Sequence, residues 1–210
     1  ESVRRDDVED TFVQFTCPII ESTAPHAGVF KPNIAFFEGQ GHQGLLALRR
    51  IVAHIHRVAP EKPVILDGKR GDIGNTNSGY VQMAFDYLKV DAITVPPFLG
   101  GESLQPFLDR PEKGVFVLCL TSNPGAKEFQ GLTVHIDGDE LDHIKASGGT
   151  PWSNGVGGAT TSFFNHVAYR VRRHWNKKGN CGVVVGATYP HELRSIRGIV
   201  GDMPILIPGI

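Results

Sequence analysis

A short charged run follows an apolar stretch in this chain: Leu66-Asp67-Gly68-Lys69-Arg70-Gly71-Asp72-Ile73. Asp67 and Lys69 stand two apart, so in extended chain their side chains point the same way. Asp72 lies just beyond them, and Gly68 and Gly71 let the backbone turn around a ligand. Lys31 closes an earlier apolar run and adds a second ammonium. The result is an alternating set, Lys31, Asp67, Lys69 and Asp72. Opposite charges keep each other ionised even when partly buried. Such a set can hold an ammonium beside a reacting carbon as an acid, with carboxylates fixing its position. The competing reading is a solvent-facing charge cluster, and a lone strand-end lysine such as Lys31 more often stays wet.

These residues need elements to carry them. Residues 8–22 place Val8, Phe12, Phe15, Ile19 and Ile20 at helical spacing, with Pro18 as a possible kink. Residues 27–31 read as a short strand stopped by Pro32. Residues 44–58 carry Leu45, Leu48, Ile51, Val52 and Ile55, an amphipathic helix. A strand over 63–67 leads into the charged run, and Asn75 or Asn77 is the expected cap of the next helix. Strands then follow over 91–95, 114–120, 181–187 and 204–207. Between them fall helices over 103–108, 158–177 and from Thr188, the expected cap, to about Val200, with Pro190 early in the last. Residues 131–154 are polar and irregular and read as an insertion loop.

The strand segments are continuously apolar rather than alternating, which marks parallel strands covered on both faces. The fold class is therefore α/β, an open sheet or a closed barrel in one domain over 1–210. In such folds ligand groups gather at the C-terminal strand ends, where Lys31, Asp67 and Lys69 fall.

Composition narrows the partners. The chain has 210 residues, with 21 Lys+Arg against 22 Asp+Glu, a formal charge of −1. That balance gives no electrostatic footprint for nucleic acid. The basic helix end formed by Arg170, Arg172, Arg173, His174, Lys177 and Lys178 favours the helix dipole and reads as solvated. No apolar run reaches the length of a membrane span. Cys17, Cys119 and Cys181 are distant from one another and odd in number, which fits free thiols in a reducing, cytoplasmic compartment. The nine histidines show no metal-ligand spacing, and Gly155-Val156-Gly157-Gly158 lacks the lysine of a phosphate loop.

The run Asp67-Gly68-Lys69-Arg70-Gly71-Asp72-Ile73-Gly74-Asn75-Thr76 resembles the Asp-x-Lys-x-x-Asp-Ile-x-x-Thr signature of orotidine 5'-phosphate decarboxylases, and its Arg-Gly resembles the bacterial subgroup of longer chains. Four other segments agree in order and spacing: Phe30-Lys31-Pro32-Asn33, Ser122-Asn123-Pro124-Gly125, Val184-Val185-Gly186-Ala187-Thr188 with Pro190 and Glu192, and Ile207-Pro208-Gly209-Ile210. The resemblance implies a (β/α)8 TIM barrel acting as a homodimer on orotidine 5'-monophosphate, without metal or organic cofactor. It implies that Lys69 protonates C6, Asp67 holds Lys69 and faces the substrate carboxylate, and Lys31 orients Asp67 and contacts the ribose. Asp72, Ile73 and Thr76 would complete the partner subunit's site. Ser122 would read the pyrimidine, and Pro208 and Gly209 would begin the phosphate-side loop.

About six of the eight barrel strands are recognisable, so the chain is expected to be an internal piece of a longer protein. Counterparts of a ribose-binding aspartate, a seventh-loop glutamine and a phosphate-gripping arginine are missing from the match. Arg70 alternates away from the cluster, and Arg194 and Arg197 fall in a helix. An unclosed barrel leaves unpaired edges, so this chain alone is expected to be aggregation-prone or partly molten, and inactive through truncation. Two other readings stay open: a different barrel enzyme acting on a sugar phosphate, and a nucleotide-binding remnant without turnover. A Schiff-base role for Lys69 is opposed by Asp67 and Asp72, which stabilise the charged amine.

Overall fold

A computed structural model of the chain describes residues 7–147, 152–153 and 159–209. Ile210 and residues 155–158, named above, and residues 148–151 and 154 of the expected insertion loop lie outside the described residues.

Five parallel strands form the central sheet: β1 (Ile65–Leu66), β2 (Ala92–Val95), β3 (Gly114–Leu120), β7 (Cys181–Val185) and β8 (Ile205–Leu206), in the order β1-β2-β3-β7-β8. Every residue of β2 and of β7 is buried, as their unbroken apolar runs require for a sheet covered on both faces. The strand expected over 27–31 is reduced to two parallel bridges, Phe30 to Val64 and Asn33 to Asp67. Pro32 has no N–H to give to a ladder, yet its carbonyl accepts from Asp67 N at 2.9 Å. That segment still lies against β1 and brings Lys31 to the strand ends.

Helices cover the sheet. α1 (Val8–Thr23) runs on through Pro18 and packs against α3 (Gly41–Val58), with Arg50 tied to Glu9 at 2.9 Å and Asp10 at 2.6 Å. Between them α2 (Ala35–Glu38) lies so close to α3 that a Cβ at Gly44 would overlap the Phe37 carbonyl oxygen. α3 buries Leu48, Ile51, Val52 and Ile55, the stripe its spacing predicts.

Both expected side-chain caps fail. α4 (Gly74–Val81) has Ile73 at its cap position, and Asn77 lies buried within the helix. There its amide oxygen accepts from Asp72 N at 2.9 Å, and its amide nitrogen donates to the carbonyls of Asp72 and Ser103. A buried amide finds more partners there than at a cap. Tyr189, not Thr188, precedes α9 (Pro190–Val200), although Pro190 stands in its first turn as expected.

The segment expected to be irregular is ordered where it is described. β4 (Thr133–Ile136) leads to α7 (Gly138–Ala146), which Asp137 caps by accepting from Glu140 N at 2.9 Å. β4 pairs antiparallel with β6 (Ala159–Ser162), and so does β5 (Trp152–Ser153). The strand β6 also displaces the start of the expected helix, and α8 spans Phe163–Arg170. This small sheet escapes a search for apolar runs because β4 alternates exposed with half-buried residues and β6 buries two threonines. Among the described residues no helix is long and apolar enough to cross a membrane.

Candidate active site

Asp67 follows β1 directly, and four donors meet its carboxylate. Lys69 Nζ at 2.6 Å and the Thr94 hydroxyl at 3.0 Å donate to Oδ1. Lys31 Nζ at 3.2 Å and the Asn33 amide at 3.3 Å donate to Oδ2. The Asp67 side chain is 13% exposed, against 50% for Lys69. Burial alone would push the Asp67 carboxyl up, but the Lys69 hydrogen bond and the charges of Lys31 and Lys69 outweigh it. The net effect holds the carboxyl below its ordinary range, so Asp67 is an anion at neutral pH.

Lys69 reaches Asp67 by a turn and not by strand alternation. Gly68 N donates back to Leu66 O at 2.9 Å, and Lys69 has φ 47°, in the left-handed region. Few non-glycine residues take that conformation. Thr94 holds it, accepting from Gly68 N at 3.1 Å and from Lys69 N at 3.0 Å.

Lys31, Asp67, Lys69 and Thr94 line one side of a cavity of about 460 Å³. Leu118, Val184, Leu206 and Pro208 give it apolar walls, and Thr121, Ser122, Asn123 and Gln130 give it polar groups. Gln130 is fixed by accepting from Thr121 N at 2.8 Å and donating to the Thr121 hydroxyl at 3.0 Å. Ser122 is wedged between two glycines. A Cβ at Gly186 would lie 2.8 Å from Ser122 Cα, and one at Gly209 would lie 2.9 Å from Ser122 Oγ. Gly209 also has φ 87°. A cavity with apolar walls, a fixed carboxylate, two ammonium groups and several further polar groups suits a small anionic substrate.

Five of the nine expected site residues therefore meet around one cavity: Lys31, Asp67, Lys69, Ser122 and Pro208. Gly209 packs beside Ser122. Asp72, Ile73 and Thr76 occupy the adjoining loop and the first turn of α4, away from the cavity lining. Asp72 Oδ1 accepts from Ile73 N at 2.7 Å, and Ile73 is 63% exposed. Arg70 points away from the cluster, as expected: it pairs with Glu38 and lies over the Tyr80 ring. Arg197 serves the end of α9, donating to Met203 O at 2.8 Å. Cys119 and Cys181 are buried in their strands, and Cys17, Cys119 and Cys181 are free thiols.

Sequence reasoning missed Thr94, Thr121, Gln130 and the amide of Asn33 as partners. Thr94 had a signal: it is the one polar residue of β2, at the end where ligands gather. Gln130 had none, because its position depends on how the chain turns after β3. Among the described residues no group of three or more His, Cys, Asp or Glu is placed to hold a metal ion.

Residues 7–210 match the family model described as orotidine 5'-phosphate decarboxylase / HUMPS family. The chain is 42% identical over 198 residues to the orotidine 5'-phosphate decarboxylase of Herpetosiphon aurantiacus, covering 94% of this chain and 64% of that protein. It is 43% identical over 196 residues to the enzyme of that name from Ralstonia nicotianae, covering 93% of this chain and 63% of that one. The chain thus spans just under two thirds of the length of these relatives. Its backbone superposes on the solved OMP decarboxylase of Leishmania donovani with a TM-score of 0.81 at 37% identity, covering 98% of this chain and 72% of that one.

Proposed function

The chain belongs to the orotidine 5'-phosphate decarboxylase / HUMPS family, and from that membership we propose that it decarboxylates orotidine 5'-monophosphate to UMP and carbon dioxide. The observation that carries the reading is the Asp67 carboxylate clamped between Lys31 and Lys69 at the mouth of an apolar-walled cavity.

The bond from C6 to the carboxylate breaks, carbon dioxide leaves, and the electron pair stays on C6. Lys69 gives a proton to that carbon and is left as the amine. A ring carbon has no sink for the developing charge, so a fixed ammonium is worth most at that moment, when it binds the transition state better than the substrate. Asp67 holds and aims Lys69, and it sets negative charge beside the departing carboxylate. Lys31 orients Asp67 and reaches the ribose hydroxyls. Ser122 reads the pyrimidine edge, and Pro208 and Gly209 begin the phosphate side.

Asp72, Ile73 and Thr76 serve the partner's site in a homodimer. Their place outside this subunit's cavity, with Ile73 exposed, supports that assignment. The three free thiols suit a reducing cytoplasm.

The test is a UV assay of orotidine 5'-monophosphate at high protein concentration, beside Lys69→Ala. In place of the inactivity expected of an unclosed barrel, the assembled cavity predicts turnover by the wild-type chain, and the variant is expected to lose at least about a hundredfold in rate. Binding without turnover in the wild type would favour a nucleotide-binding remnant. Borohydride trapping of a carbonyl substrate on Lys69 would replace the reading with Schiff-base chemistry.

A further inference from the structure

Resting on that reading of the site, we propose that Thr94 is a positioning residue that sets where the Lys69 ammonium stands, through its hydroxyl and not through packing. Thr94 is 1% exposed, in a strand whose other members are Ala92, Ile93 and Val95. A buried hydroxyl is costly there unless it is bonded, and this one is used fully. Its single proton goes to Asp67 Oδ1 at 3.0 Å, and its oxygen accepts from Gly68 N at 3.1 Å and Lys69 N at 3.0 Å.

Those bonds close a ring. Lys69 Nζ donates to the same Asp67 Oδ1 at 2.6 Å that Thr94 donates to, while Lys69 N donates to Thr94. One hydroxyl therefore fixes both ends of the lysine: its backbone directly, and its ammonium through the shared carboxylate oxygen. The Thr94 carbonyl adds a third hold, accepting from Arg70 N at 3.2 Å. Lys69 needs such support because φ 47° is a conformation an L side chain rarely takes unaided. β2 is itself locked between β1 and β3, so the reference point is rigid. Lys31 and Asn33 touch only the other carboxylate oxygen and cannot substitute for it.

The experiment compares Thr94→Val, close in shape but without the hydroxyl, with Thr94→Ser, which keeps it. A misplaced ammonium costs the chemical step and spares ground-state binding. Thr94→Val is expected to lower kcat by about tenfold to a hundredfold with KM changed less than about threefold, and Thr94→Ser to restore kcat to within about threefold of wild type. A Thr94→Val kcat within threefold of wild type, or a loss carried by KM, would overturn the proposal. If Thr94→Val does not fold by circular dichroism, Thr94→Ala takes its place in the same comparison. The carboxyl carbon of Asp67, followed by NMR across acid pH, gives a readout that needs no turnover. Losing the Thr94 donor removes a hydrogen bond to the charged form, so the midpoint rises in the variant without the hydroxyl and returns in Thr94→Ser. An unmoved midpoint would overturn the proposal even if the wild-type chain turned over nothing, a result that would by itself count only against the decarboxylase reading.

Discussion

Asp67 illustrates what a single residue does in this site. Its carboxyl is held below the ordinary carboxylate range in the folded chain, with burial opposing and the two lysines prevailing. A depressed folded value means stability is gained above the unfolded value and lost as pH falls through the folded one. The wild-type chain should therefore melt above Asp67→Asn at neutral pH, and the gap should close as pH falls below about 4. Thermal melts of both proteins from neutral to strongly acid pH measure this, and a gap that does not narrow would contradict it. The charged partners were legible in the sequence because Lys31, Asp67 and Lys69 are ionisable residues in or beside apolar runs. Thr94 gave only a weak signal, as the one polar residue of β2, because a threonine in a strand also reads as β-propensity. The bond from Lys69 to Asp67 was expected for the wrong reason: the left-handed turn at Lys69, and not alternation, makes it.

At the scale of elements, close backbone approach shapes the cavity. β3 and β7 converge until Gly186 meets Ser122, with Gly186 N bonded to Leu120 O at 2.7 Å. A methyl group at Gly186 has nowhere to go but into Ser122. Gly186→Ala should destabilise the chain by about 1–3 kcal/mol, the usual cost of overpacking. It should also disturb the polar wall that carries Ser122. Denaturant titration measures the first effect, and an unchanged midpoint would contradict it. The long elements were legible, since α3, β3 and β7 are apolar stripes or runs with a strong period. The antiparallel sheet of β4, β5 and β6 was not, because a short half-exposed strand looks like loop when polar residues dominate it. The two failed caps have different causes. Asn77 finds partners inside the fold, and the chain enters α9 one residue later than Thr188 predicts.

At the scale of the whole molecule, every strand of the parallel sheet delivers something to one end. The segment before β1 brings Lys31, β1 brings Asp67 and Lys69, and β2 brings Thr94. β3 brings Leu118 and the Ser122 turn, and β7 and β8 bring Val184, Leu206 and Pro208. That convergence is the half of barrel architecture that matters for chemistry, and it was legible from the rhythm of strands and helices. The homodimer proposed above adds Asp72, Ile73 and Thr76 from a second copy. The proposed function turns on Lys69 supplying the proton that replaces the departing carboxylate at C6. The most direct measurement is NMR of carboxyl-labelled orotidine 5'-monophosphate in D2O, with wild-type chain and with Lys69→Ala. Wild type should release labelled carbon dioxide in step with UMP deuterated at C6, and Lys69→Ala should do neither at a comparable rate. Labelled carbon dioxide released by Lys69→Ala at the wild-type rate, or none released by wild type, would contradict it.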